Sequence, residues 1–424
     1  MTYRTDRRMR RYRSRVHRRR RLVALVVIVV LVVAIAAVAF AVTRGDGKNA
    51  GNGPTASTSG KPASKATPTS AVTASPSPSP SPTAWTGPPS SKLKLTLRKV
   101  LVSSSISPKS VVSTGTGYVF AQNMMYRHTV TVYDAKTLKL VKTIQDTVNL
   151  ARFGVKGHAG TVRGAPVEAA ITPDKRFMFV SNYSMYGDGF YKEGHDVCSP
   201  ASGYDTSYVY RVPLSTLKID AVIHVGSVPK YVAVTPDQKY LLVTNWCSYT
   251  LSIVDVQTDR VVKSIYLGPY PRGIAVDPSS RYAYVAVMGS YNIARVDLST
   301  FKLAWINGVG ASPRHLCMSG NGAYLYATLN GEGNVAKIDT ATRKVVDKVY
   351  TGQQPRSMAI APDGKSLYVV NYDSSTMTKV RTSDMKVIQT VSTNALPIGI
   401  TYDAPTKSVW VCCYTGSIMV FLDG

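Results

Sequence analysis

Seven prolines along the chain, Pro108, Pro166, Pro229, Pro271, Pro313, Pro355 and Pro397, are followed by Lys109, Val167, Lys230, Arg272, Arg314, Arg356 and Ile398. Five of these seven followers are basic. If the fold gathers them, they form a ring of ammonium and guanidinium groups. Such a ring attracts carboxylate or phosphate, and arginine can grip either through two parallel N–H bonds. Glu168 and His315 each lie two residues after a repeat proline and belong to the same neighbourhood. A second set of chemically able side chains comprises His158, Asp188, Glu193, His195 and Asp196. Histidines beside carboxylates are the material of a metal site or an acid–base pair. Their spacing matches no metal-ligand motif, so no metal and no cofactor is expected. Nucleophile-elbow, Walker-loop, His-Glu-x-x-His and Cys-x-x-Cys signatures are also missing from the sequence.

The elements that must position these residues repeat with the prolines. From Pro229 to Pro397 the spacing is 42 residues, and the surroundings recur, as in Pro271-Arg-Gly-Ile-Ala-Val-Asp-Pro278 and Pro355-Arg-Ser-Met-Ala-Ile-Ala-Pro362. The earlier spacings, 58 and 63, are the same unit carrying insertions of 16 and 21 residues. A period in the 40s built of short β-type runs predicts a radial β-repeat. Here it predicts an all-β, seven-bladed β-propeller over residues 92–424, with four strands (a to d) per blade. The third unit reads as Tyr231–Thr235, Tyr240–Asn245, Thr250–Asp255 and Val261–Leu267, separated by Asp-, Pro- and Gly-bearing turns. The recurring Asp134, Asp255, Asp297 and Asp339 are expected to cap turns rather than bind metal. The last unit ends after three strands, and Leu95–Val102 is placed to supply the fourth, closing the ring and removing exposed edges.

Val243-Thr-Asn-Trp, Val180-Ser-Asn-Tyr and Val370-Asn-Tyr resemble the Tyr-Val-Thr-Asn box of the YVTN-repeat (YncE-like) β-propeller family, within the wider lactonase-like propeller group. The resemblance spans residues 92–424 and implies the propeller fold. It implies little about activity, because the box is a packing motif. The departures are the two insertions and a last box reading Val411-Cys-Cys-Tyr414.

On a propeller, strand a lines the channel and successive strands alternate direction, so strand a starts, b–c loops and d-to-a crossings share one face. That top face then carries the basic ring and both insertions. The first insertion, with Arg152, Lys156, His158 and Arg163, falls in a d-to-a crossing. The second, with Tyr183, Tyr186, Asp188, Tyr191, Glu193, His195, Asp196 and Cys198, falls in a b–c loop. Long loops on a rigid scaffold are where binding residues collect. Cys198 and Cys247 come to the top of adjacent blades and are expected to form a disulfide. Cys317, Cys412 and Cys413 read as small core residues.

Ahead of the propeller, residues 1–21 hold eleven arginines and one acid, Asp6. Leu22–Val42 is 21 uncharged residues, long enough as a helix to span ~30 Å of hydrocarbon. The positive-inside rule puts the basic arm in the cytoplasm and the propeller outside. The alternative, a signal peptide cut near Ala39-Phe-Ala41, meets an apolar run long for that role. Residues 43–91, rich in Pro, Ser and Thr, are expected to be a disordered spacer. The arm carries +10 and the spacer +3, leaving +14 of the total +27 on residues 92–424. So basic a head favours anionic partners. The first functional expectation is a monomeric, membrane-anchored binding or scaffolding head for an anionic cell-envelope polymer or a protein partner. The second is a lactonase-like hydrolase or lyase with its site over the channel. Nucleic-acid binding is an alternative warranted by charge alone, and is disfavoured because no recognition motif accompanies it.

Overall fold

The computed structural model describes residues 85–424. They form seven antiparallel sheets arranged as a β-propeller. The third blade runs Pro229–Val234, Tyr240–Asn245, Thr250–Asp255 and Arg260–Tyr266, within a residue or two of the expected strands. In the last blade, Leu95–Val102 pairs with Ser417–Asp423, from Leu95 opposite Asp423 to Val102 opposite Ser417. The N-terminal strand is thus the outermost strand of the final sheet, which closes the ring.

Burial falls from the middle of each blade to its rim. Strand b is apolar and almost wholly buried, as in Leu241, Leu242 and Val243 or Val409, Trp410 and Val411. Strand d is mostly exposed, as in Arg260–Tyr266. The core lies between neighbouring sheets, where Leu242, Leu251 and Ile253 of one blade meet Ile274, Val285 and Ala294 of the next. The asparagine of the box clasps three segments. Asn245 Nδ2 donates to Thr250 Oγ1 at 3.0 Å and Ser252 Oγ at 2.9 Å, while its Oδ1 accepts from Gly226 N at 3.1 Å. The repeat aspartates cap turns: Asp255 Oδ1 accepts from Gln257 N, Thr258 N and Thr258 Oγ1.

A buried ion pair reinforces the closure. Lys379 Nζ in blade 6 reaches Asp423 Oδ1, and neither side chain is exposed. The hydroxyl of Tyr368 donates to the same carboxylate, and Lys379 Nζ also donates to the Leu93 carbonyl at 3.0 Å.

One expectation needs correcting. Residues 85–91, expected to belong to a disordered spacer, are part of the folded unit. Ser90 is buried, its N–H and hydroxyl both held by the Asp363 carboxylate at 2.8 and 2.7 Å, and Trp85 packs near Tyr402. A bulky aromatic ring and a well-placed carboxylate partner override the local Pro/Ser composition. The basic arm, the apolar segment Leu22–Val42 and the rest of the spacer lie outside the described residues. Among the described residues no helix is long and apolar enough to cross a membrane.

Candidate functional site

The backbone at five of the repeat prolines aims the follower at the channel mouth. Pro229, Pro271, Pro313, Pro355 and Pro397 each pair with the last residue of strand b, and a register shift follows immediately. Such a bulge re-aims side chains. The residues just before these prolines, Val228, Tyr270, Ser312, Gln354 and Leu396, hold φ between 52 and 63°. Left-handed backbone at bulky residues is costly and is held there by its surroundings.

Lys109, Lys230, Arg272, Arg314 and Arg356 all line one cavity of about 310 Å³ at the channel mouth. Ile398 lines it too. Val167 is buried, and its neighbour Glu168 points a carboxylate at the ring instead: Arg272 Nη2 donates to Glu168 Oε1 at 2.9 Å, and Lys109 Nζ is 3.8 Å away. Lys230 Nζ donates to Asp196 Oδ1 at 2.8 Å. Among the described residues Arg314 and Arg356 have no carboxylate partner; Arg314 Nη1 donates to the Arg356 carbonyl, and Arg356 Nη2 to Gln354 Oε1 at 2.9 Å. Five bases therefore face two carboxylates, a formal excess of three positive charges, with burial and then Arg272 lowering the Lys109 pKa well below the usual lysine value. Lys109 Nζ, Arg272 Nη1 and Arg356 Nε are buried without a hydrogen-bond acceptor. Unmet buried donors of this kind carry a free-energy cost that an anion would relieve.

The electrostatics follow from crowding like charges out of water. Burial, with Arg272 and Arg356 adding repulsion, lowers the pKa of Arg314. Burial brings Lys230 down to about 8 even with Asp196 holding it up. Burial works against the Glu168 carboxylate, but Arg272 and Lys109 more than offset it and keep it ionised. Burial, reinforced by Arg314 and Arg272, drives His315 down to about 3. That ring is neutral, its Nε2 3.1 Å from the Tyr231 hydroxyl.

Sequence reasoning missed a second ring. The residue after strand b is Met124, Trp246, Met288, Asn330, Tyr372 and Tyr414 in six blades, and in blade 2, where strand b runs on to Tyr186, the equivalent residue within it is Tyr183. All except Tyr183 and Asn330 line the cation cavity, and Tyr183 lines the adjoining one. From Trp246 to Tyr414 the spacing is the same 42 residues, so the signal was present. The aromatics cover the cations: Lys230 Nζ lies 4.2 Å from the Tyr183 ring centre and 5.2 Å from Trp246, and Arg356 lies 4.1 Å from Tyr372. Such contacts stabilise partly desolvated cations by about 0.5–2 kcal/mol each.

The insertions rise from blade 2 as extensions of its strands a and b, Val162–Ile171 and Phe177–Tyr186, with Thr147–Val148 added as a fifth strand. Cys198 and Cys247 form a disulfide, with Cα atoms 5.4 Å apart. It ties the second insertion to the top of blade 3 and delivers Asp196 to Lys230. Trp246 Nε1 completes the tie by donating to the Asp196 carbonyl at 2.9 Å. The three other cysteines are free thiols.

His158, His195 and His315 stand at three separate places. His158 stacks on Phe190 at 4.3 Å with its Nδ1 3.0 Å from the Asp188 carbonyl. His195 lines the adjoining cavity of about 380 Å³ with Glu193 and Asp196, and His315 sits beside Tyr231 in the channel. Among the described residues no three His, Cys, Asp or Glu side chains are grouped to hold a metal. Another cavity, of about 470 Å³, lies between blades 4 and 5 at the turns of the opposite face, lined by Asp277, Tyr282, Arg295 and Arg343.

No family model matches the chain, and no curated protein matches it in sequence. A solved structure of hydrazine synthase from Kuenenia stuttgartiensis is similar to it, with TM-score 0.60 and 20% identity, over 76% of this chain and 96% of that one. At that identity the likeness shows the propeller fold.

Proposed function

We propose that the protein is a membrane-anchored, extracytoplasmic propeller whose channel mouth binds an anionic group carried by a cell-envelope polymer or a protein partner. The observation that carries this reading is the charge imbalance of the mouth: five bases, four of them buried and Arg356 half-buried, two carboxylates, and buried N–H groups on Lys109, Arg272 and Arg356 that lack an acceptor. A structural ion-pair network would balance its charges; this one has an excess that a ligand would neutralise. Arg314 and Arg356, free of carboxylates, are the residues assigned to grip the anion, and Lys109 and Arg272 complete its shell. The anchor rests on the arginine-rich residues 1–21 followed by the uncharged Leu22–Val42. The resemblance of the box residues supports reading the chain as a YVTN-repeat propeller.

Retention on an immobilised phosphate-rich wall polymer tests the proposal. The wild type is expected to be held at low salt, released as salt screens the charges, and not held by a neutral glucan. Arg272→Ala/Arg314→Ala/Arg356→Ala is expected to pass through both columns while keeping a cooperative melt. Equal retention of the triple variant and the wild type on the phosphate-rich column would sink the proposal.

A further inference from the structure

We propose that the mouth takes a zwitterion: a phosphoryl group in the cationic lobe, joined by a short linker to an ammonium group in the tyrosine-lined lobe beside it. This rests on the anion-binding reading above and extends it to the rest of the ligand.

The two cavities adjoin. Met124, Asp196 and Tyr414 line both, so one groove carries two lobes of opposite character. The first holds the positive excess, with Lys109 and Arg272 more than nine-tenths buried and each leaving an N–H group without an acceptor. The second is lined by Tyr126, Tyr183, Tyr186, Tyr414, His128 and Glu193. Tyrosine faces carry negative quadrupole charge; Lys230 and Arg163 already lie over Tyr183 and Tyr186, whereas Tyr126 and Tyr414 have no cation over them among the described residues and, with the Glu193 carboxylate, suit an organic cation. Glu193 accepts the Tyr186 hydroxyl and has no ion pair among the described residues. Arg163 lies over the Tyr186 ring, 5.7 Å from its centre, and burial favours the neutral form of His128, so that imidazole does not oppose a cation.

The charge pattern selects a tethered ammonium over a free one. A free cation entering the second lobe would feel the three excess positive charges next door. A ligand that first neutralises them with a phosphoryl group, worth −1.5 to −2 at pH 7 as a monoester, removes that repulsion and presents its ammonium to Glu193 and the tyrosines. A plain phosphate would satisfy the first lobe and leave the second unused.

Calorimetry of the full chain with inorganic phosphate, phosphoethanolamine and ethanolamine separates the possibilities. Phosphoethanolamine is expected to bind about tenfold more tightly than phosphate, the scale of one desolvated cation–π contact, with ethanolamine alone not binding at millimolar concentration. Glu193→Gln and Tyr126→Ala, both at exposed positions and so tolerated by the fold, are each expected to cut the advantage of phosphoethanolamine over phosphate several-fold. Co-sedimentation with phosphatidylethanolamine vesicles, against phosphatidylglycerol vesicles as a charge control, identifies the source. Binding blocked by soluble phosphoethanolamine assigns the group to a lipid. Binding of the soluble compound alone assigns it to a soluble or polymer-borne source. Equal affinities for phosphate and phosphoethanolamine would overturn the zwitterion while leaving the anion site standing. Failure of both to bind would overturn the two readings together.

Discussion

Removing the disulfide tests how the site is built. Cys198 and Cys247 are 49 residues apart in sequence, so the bridge closes a loop of that length. On the chain-entropy account, closing about 50 residues restricts the unfolded chain by ~4 kcal/mol at 25 °C. The folded unit has roughly 340 residues, whose unfolding entropy near 60 °C is about 0.7 kcal/mol per kelvin. Cys198→Ser/Cys247→Ser is therefore expected to lower Tm by about 6 °C, read by a circular-dichroism melt. A local effect should accompany the global one. The bridge holds the segment that brings Asp196 to Lys230 at 2.8 Å, and the Asp196 carboxylate raises the pKa of Lys230 against its burial. With the segment loosened, Lys230 should titrate below its value of about 8. A melt within 1 °C of wild type, with Lys230 unchanged, would mean that the bridge does not anchor the insertion to the mouth.

Three other outcomes are expected. Lys379→Met leaves Asp423 buried without its cation at the closing blade, and should destabilise by about 3–5 kcal/mol in denaturant titration; a loss under 1 kcal/mol would mean the pair does not hold the closure. His315 binds a proton in the unfolded chain near pH 6.5 but not in the folded one until about pH 3, so its contribution to stability falls as pH drops through that window. From pH 7 to 5 the wild type should lose about 2 kcal/mol that His315→Gln does not, and parallel pH profiles for the two proteins would contradict this. Asn245→Ala unfastens the clasp on Thr250, Ser252 and Gly226, and should cost about 2–3 kcal/mol without weakening retention on the anionic column; lost retention in a folded variant would make the box more than a packing motif.

Much of the scaffold was legible because the repeat is covalent: the proline spacing counts the blades, and the missing last strand points back to Leu95–Val102. The residues following the prolines do converge, because strand a starts together on one face. The depth of their burial was not legible. It depends on Trp246, Tyr372 and Tyr414, which share the period but read as ordinary packing residues along a strand edge. The reach of Asp196 to Lys230 was hidden for another reason. It depends on the path of a long insertion, which the disulfide and Trp246 fix in three dimensions and no local pattern encodes. The folding of residues 85–91 onto blades 6 and 7 was likewise a tertiary effect, carried by Asp363 and Tyr402 hundreds of positions away in sequence.

On the proposed reading, uncompensated positive charge at the mouth holds an anion. Calorimetric titration of the full chain with inorganic phosphate at two ionic strengths tests it most directly, alongside Arg314→Ala/Arg356→Ala, which removes the two bases without carboxylate partners. One phosphate per chain, weaker binding at the higher ionic strength, and at least about a tenfold loss in the double variant are expected. No binding by the wild type, or equal binding by a folded double variant, would contradict it.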